Sequence, residues 1–291
     1  MKDKCILCGS GKSHIIHRGV RGNPDTNVLK CDNCGLVRLD TFPSDLDEFY
    51  KTSQMRKDEN EASLSEIRSA AFTDDHRRYD FIRPIIENRS YLDFGCGAGG
   101  VLSLARSNAR EIYGVEPETK MCNALNDECI RCYSSIDSAL SEKKGKIDVV
   151  SLFHVLEHLE DPVGYLEKIN ALLTDRGVMI IEVPNADDAL LSLYENQAFA
   201  DFTYWESHLY LYNNTTLTSL IKKCGLKLRF LTQIQRYPLS NTLYWLAKGK
   251  PGGHKEWFTM SNERLDREYE SMLARLGIAD TVIAIVDGKR E

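Results

Sequence analysis

Apolar positions along the chain follow two periods, and the changes from one to the other divide it into elements. From residue 90 onward, short apolar runs alternate with segments whose apolar residues recur every three or four positions. Residues 91–94, 112–116, a short run ending before Ser134, 146–153 and 177–185 read as strands, the last reached through a TDRG turn. VLSLARSNA, VGYLEKINALL and TLTSLIKKCG read as helices, the last with Leu217, Leu220, Ile221 and Cys224 on its buried side. This alternation predicts an α/β fold: a Rossmann-like, open, mostly parallel sheet with helices on both faces. Ligands should bind beyond the carboxyl ends of its strands. Farther on, KLRFLTQIQRY alternates as a strand that turns at Pro238, 261–277 is a charged amphipathic helix, and 281–288 is a closing strand of the same sheet.

Upstream of residue 90 the pattern is looser. Tyr79, Ile82, Ile85 and Ile86 repeat at helical intervals, with Pro84 expected to bend the helix, which should pack on the sheet edge. His76, Arg77 and Arg78 beside it read as a solvated charged face. Residues 51–71 are polar and read as a helical lid or linker, preceded by an N-cap at Ser44, Asp45 and Asp47.

Chemistry enters at residues 91–100, YLDFGCGAGG, a strand running into a glycine turn and a helix. Glycine suits backbone angles closed to other residues and lets a ligand approach the main chain. Glu116 follows at a strand end about twenty residues beyond the turn, where a carboxylate can accept from both hydroxyls of a ribose.

A second motif lies at the N-terminus. Cys5-x-x-Cys8 and Cys31-x-x-Cys34 form two knuckles, each followed by a glycine, and together supply four thiolates for a structural zinc ion. His14 and His17 lie between the knuckles, on the hairpin or facing the larger domain. The strand LVRLD closes the ribbon, and the predicted divisions are a zinc ribbon at 1–45, a helical linker or lid at 46–90 and the main domain at 91–291. Cys96, Cys122, Cys129, Cys132 and Cys224 read as small buried or half-buried side chains.

At 291 residues and 42% hydrophobic content, the chain can bury a large core. A net charge of −6 argues against a nucleic-acid backbone as main partner. No apolar run approaches a membrane span and the N-terminus lacks a secretory core, so a cytoplasmic protein is expected.

YLDFGCGAGG, YGVEPE, IDVVSLFHVLEHLEDP and GVMIIEVPN, in this order, resemble the motifs of class I S-adenosylmethionine-dependent methyltransferases from about Asp75 to Phe230. The ribbon resembles zinc-binding segments of some bacterial small-molecule and sugar-modifying members. The resemblance implies that Asp93 orients the glycine loop and approaches the cofactor's amino-acid portion, with Gly95 and Gly97 against its methionine and ribose. Glu116 would hold the ribose hydroxyls, Ser135 and Ile136 would border the adenine with Asp137 near its amino group, and Phe153 and His154 would line the floor towards the methyl group.

Acceptor chemistry is expected in 201–210, DFTYWESHLY, read as a loop, where Tyr204, Trp205 and Tyr210 are substrate-binding candidates. Arg236 joins them from beyond the next strand. His208 and His158 are the candidate general bases. His154, Glu157 and His158 invite a second divalent metal, since similar positions in ubiquinone-pathway O-methyltransferases carry carboxylates and a histidine linked to such an ion. The favoured reading is that Glu157 and His158 cap the start of the next helix and hydrogen-bond across the strand end. The sequence favours methyl transfer to a small polar acceptor such as a sugar or nucleotide-linked sugar, ahead of an RNA methyltransferase gripping RNA with the ribbon or a non-catalytic cofactor-binding protein.

Overall fold

Successive residues of a strand point to opposite faces, and the central strands are apolar on both. Tyr91, Val149 and Ile180 enter one core, while Leu92, Val150 and Ile181 enter the other. A sheet buried on both sides must be covered by helices on both sides, which is the arrangement found. A computed structural model describes residues 4–44, 46–51 and 63–289.

The N-terminal strands are β1 (Ser13–Val20), β2 (Asn23–Cys31) and β3 (Val37–Leu39), followed by α1 (Leu46–Lys51) and α2 (Leu64–Ile86). The main domain then runs β4 (Ser90–Phe94), α3 (Gly100–Ala105), β5 (Glu111–Val115), α4 (Thr119–Asp127), β6 (Arg131–Tyr133), α5 (Ile136–Lys143) and β7 (Ile147–Phe153). It continues through α6 (Pro162–Leu172), β8 (Leu173–Pro184), α7 (Ala189–Ser192), α8 (Gln197–Thr203), β9 (Tyr210–Leu211) and α9 (Asn214–Lys223). The last elements are β10 (Lys227–Ile234), α10 (Leu239–Lys248), α11 (Gly253–Glu256), α12 (Glu263–Leu276) and β11 (Thr281–Asp287).

The large sheet has the order β10-β11-β8-β7-β4-β5-β6, with β11 antiparallel to both its neighbours and the other pairings parallel. The strand order reverses between β4 and β7, and a crevice opens there at the carboxyl ends. Helices α2, α3 and α4 supply Ile82, Ile86, Leu102 and Leu125 to one core; α5, α6 and α9 supply Ile136, Leu166 and Leu220 to the other. TDRG is no separate turn: 174–177 form an irregularity within β8, between the pairs Ile147/Leu173 and Val149/Val178.

Some local expectations change. Helix α2 packs beside α3 and over the central strand β7, so it covers a sheet face instead of an edge. It begins at a Ser63/Glu66 capping box and extends past Pro84, which lies within its last turn, to Ile86. Of the expected lid or linker, 52–62 lie outside the described residues, as does Asp45 of the predicted cap. Residues 201–203, the start of the expected aromatic loop, belong to α8, and the segment after Pro238 is the helix α10, ended by left-handed Gly249.

The ribbon is joined to the main domain. Strand β9 lies within the main-domain sequence but hydrogen-bonds to β3, giving a second sheet of order β1-β2-β3-β9. Val28, Leu36 and Leu39 share one core with Leu209, Tyr210 and Leu211.

Candidate active site

The glycine turn begins where β4 ends. Gly95, Gly97 and Gly99 have φ of 75°, 52° and 69°, the left-handed region in which a side chain is strained. A Cβ on Gly95 would stand 2.5 Å from Val155 Cγ2. Gly95→Ala should therefore destabilise the fold by about 1–2 kcal/mol and weaken cofactor binding, read by thermal melting with and without S-adenosylmethionine.

The turn is tied to β5 by a carboxylate. Gly97 N donates to Glu116 Oε2 at 2.7 Å and Glu118 N donates to Oε1 at 2.9 Å, so Glu116 is oriented at the mouth of the turn. Beneath it, Asp93 accepts from Ser151 Oγ at 2.6 Å, and Ser151 Oγ is 2.7 Å from Tyr91 Oη. Burial pushes the Asp93 carboxyl up to about 7 against the pull of Ser151 and Arg78. Ser135 caps α5 just past β6, Ile136 is buried behind it, and Asp137 stands exposed with Lys168 Nζ at 2.9 Å.

On the other side of the crevice a charged network closes over β7 and β8. Glu182, wholly buried in β8, accepts from Arg77 Nη1 and Arg78 Nε, each at 2.9 Å. Burial alone would raise its pKa, but His154 and Arg78 hold it well below the carboxylate range. The Arg78 guanidinium also lies 5.1 Å over the Phe153 ring. His154, at φ 56°, places Nε2 3.3 Å from Glu182 and 3.1 Å from Arg236 Nη1, while Arg236 is ion-paired to Asp74. Asp74, raised by burial, is pulled down to about 2 by Arg236 with help from Arg78 and Arg77. The Arg77–Arg78 pair is thus part of the site wall, correcting the solvated-face expectation. One sequence signal was available: Glu182 interrupts the apolar run GVMIIEVPN, and a charge buried in a central strand needs cationic partners.

A third group lies where the loop after α8 meets the turn after β7. Glu157, His158 and His208 each offer a ligand atom, and these atoms lie within 4.8 Å of one another. His158 donates Nδ1–H to Ser207 O at 2.7 Å and His208 donates Nδ1–H to Thr203 O at 3.2 Å. Both Nε2 lone pairs are thereby left for other partners. Burial pushes His208 down to about 3, with His158 adding to the effect, and burial also lowers His158. Burial raises Glu157, but the hydrogen bond from His154 leads the effects that bring it below the usual carboxylate range, so it is an anion. Its Oε1 is 3.2 Å from His154 Nδ1, whereas Oε2 is buried with no hydrogen-bond partner among the described residues.

A carboxylate and two neutral imidazoles fit a divalent transition ion. His208 belongs to this set, and His154, expected there from sequence, instead bridges Glu157 and Glu182. The expected helix cap is also corrected: Asp161 caps α6.

The aromatic candidates line the seam with the ribbon. Tyr204 accepts from Arg21 N through its carbonyl, Trp205 bridges to Arg21, and Tyr210 is fully buried in β9 with its hydroxyl donating to Glu160 O. Tyr210 is therefore part of the core and not of an open substrate surface. In the ribbon itself, Cys5 Sγ lies 3.5 Å from Cys34 Sγ and Cys8 Sγ 3.6 Å from Cys31 Sγ. A tetrahedral ion with bonds of about 2.3 Å separates its sulfurs by about 3.8 Å, so the four thiols fit zinc. His14 pairs with Asp32 and His17 with Asp201 instead.

Strand order, glycine turn and the Glu116 carboxylate tied to it define a class I S-adenosylmethionine-dependent methyltransferase. The chain belongs to the methyltransferase-domain family, whose model matches residues 54–230. Ubiquinone biosynthesis O-methyltransferase from Acinetobacter baylyi is 23% identical over 223 residues, covering 67% of this chain and 92% of that protein. The enzyme of the same name from Rhodopseudomonas palustris is 25% identical over 131 residues, 43% of this chain; the match spans only 51% of that protein. A SAM-dependent methyltransferase from Archaeoglobus fulgidus has a similar fold, with TM-score 0.53 and 19% identity over 81% of this chain and 99% of that one. These findings support an enzyme over a non-catalytic binder. Among the described residues, no helix is long and apolar enough to cross a membrane.

Proposed function

We propose that this enzyme transfers the methyl group of S-adenosylmethionine to a hydroxyl of a small polar acceptor, of the sugar or nucleotide-linked sugar type. The observation carrying the reading is the buried Glu157 carboxylate, with one oxygen unpartnered, set against two neutral histidines. The sulfonium methyl is already electrophilic, so alignment supplies most of the acceleration, roughly 7–11 kcal/mol. Asp93, Gly95, Gly97, Glu116, Ser135, Ile136, Asp137, Phe153 and His154 hold the cofactor, and Arg78, beside Phe153, offers a cation to its carboxylate.

Removal of the hydroxyl proton falls to His158. Its Nδ1–H is fixed on Ser207 O, its Nε2 is free to accept, and Glu157 Oε1 4.0 Å away stabilises the imidazolium. His208, pushed down to about 3, is a poor base and better suited as a neutral ligand. A divalent ion held by Glu157, His158 and His208 would take that Nε2 lone pair and replace His158 as base, supplying instead a Lewis acid that lowers the hydroxyl's pKa. A phenolic hydroxyl is the second reading, favoured by relatives named as O-methyltransferases of ubiquinone biosynthesis. The four ribbon thiolates hold a structural zinc, and the nine free cysteines suit the cytoplasm.

Methyl-labelled S-adenosylmethionine, offered with nucleotide-linked hexoses and with a catechol, tests this directly. Label should enter one class, and Glu157→Gln should lower turnover about 100-fold or more at unchanged cofactor affinity. Transfer to neither class, or full turnover by the variant, would contradict the reading.

A further inference from the structure

The two loops facing each other across the ribbon seam are bound backbone to backbone. Arg21 N donates to Tyr204 O at 2.9 Å, Glu206 N donates to Arg21 O at 3.1 Å, and Arg21 forms a parallel bridge with Trp205. The neighbouring Gly22, at φ 91°, brings the hairpin tip so close that a Cβ would collide with the Glu206 side chain. Arg21 completes the joint with its side chain. Its guanidinium carbon sits 4.7 Å from the Phe202 ring centroid and 4.7 Å from that of Trp205. A cation placed on two aromatic faces fixes both rings.

What Arg21 fixes leads straight to the acceptor cluster. The Trp205 ring is 5.4 Å from the His208 ring and 6.3 Å from the His158 ring, both edge-on. Trp205 O also accepts from His208 N at 2.9 Å. Ser207, whose carbonyl sets the tautomer of His158, lies in the same six-residue connection between α8 and β9. At its far end, Leu39 N of the ribbon donates to Leu209 O. The connection is thus held by the ribbon at both ends, with the two histidine contacts between.

We propose that Arg21 is a positioning residue for methyl transfer: from the tip of the ribbon hairpin it clamps Trp205, and through it sets His208 and His158 against Glu157. The ribbon is then a working wall of the acceptor site. This rests on the reading that the Glu157, His158 and His208 cluster acts on the acceptor, but the placement of the rings can be tested without any acceptor.

The test uses the full chain with its zinc, comparing wild type, Arg21→Ala and Arg21→Lys. Ring-labelled histidine NMR should show the His208 and His158 signals displaced in Arg21→Ala, with those of His76 and His254 unmoved. Affinity for S-adenosylmethionine should stay within about twofold. With the acceptor class that the wild type methylates, kcat should fall tenfold or more at an unchanged cofactor KM, and Arg21→Lys should recover part of it. Unmoved His208 and His158 signals in Arg21→Ala, or an unchanged kcat, would overturn the proposal. If Arg21→Ala does not fold, undisplaced signals in Arg21→Lys would do the same. If the wild type methylates neither acceptor class, the acceptor reading fails by itself, and the NMR signals still decide the role of Arg21.

Discussion

Stripping the ribbon of its proposed zinc, by a chelator or by Cys34→Ser, is expected to abolish methyl transfer and to release β9 together with the ribbon. Apparent binding energies of roughly 10–16 kcal/mol for such sites rival the total stability of a domain, about 5–15 kcal/mol. Strands β1–β3 have little to replace them: β1 is mostly exposed, and the buried residues of β2 and β3 lie in a core shared with the main domain. When the ribbon opens, Leu39 no longer pairs with Leu209, nor Val37 and Arg38 with Leu211 and Tyr210. The His208 loop then loses both supports. Hydrogen exchange reads this directly: amides 209–212 should lose protection with those of β2 and β3, while β4 and β7 stay protected. Continued protection of 209–212 after zinc loss would show that the ribbon does not support the site.

Glu116→Ala is expected to weaken S-adenosylmethionine binding by at least about 100-fold. Hydrogen bonds to a charged group contribute about 1.5–3 kcal/mol each, and two ribose hydroxyls meeting one carboxylate give about 3 kcal/mol or more. The variant also frees the amides of Gly97 and Glu118, which Glu116 holds without ligand, so the glycine turn loses its tie to β5. Calorimetry measures the loss; an unchanged affinity would mean that the ribose lies elsewhere. Melting of the free enzyme should change much less than the cofactor-induced rise in melting temperature, because the effect lies mainly on binding.

The parts of this enzyme legible in its sequence are those specified locally. The glycine turn at 95–100, the four ribbon cysteines and the apolar strands each carry their signal within a few residues, and the structure places them as read. What escaped depends on distant pairings. Nothing near Arg77 or Arg78 says that Glu182, more than one hundred residues later, needs them. Tyr210 reads as a loop aromatic until β3 pairs with β9 and draws it into the core. His208 joins Glu157 and His158 only because the connection after α8 is held back against the ribbon. His154 shows the opposite error: the resemblance grouped it with Glu157 and His158 as a metal ligand, but the left-handed turn it occupies points it towards Glu182 and Arg236.

Cofactor and acceptor chemistry are thus proposed to be divided between two carboxylates, Glu116 at the glycine turn and Glu157 beside the histidines. The most direct test pairs a S-adenosylmethionine titration with labelled methyl transfer in wild type, Glu116→Ala and Glu157→Gln. The account predicts that Glu116→Ala loses cofactor binding and transfer together, whereas Glu157→Gln binds cofactor like wild type and fails to transfer. Full transfer by Glu157→Gln, or loss of cofactor binding in that variant, would contradict it.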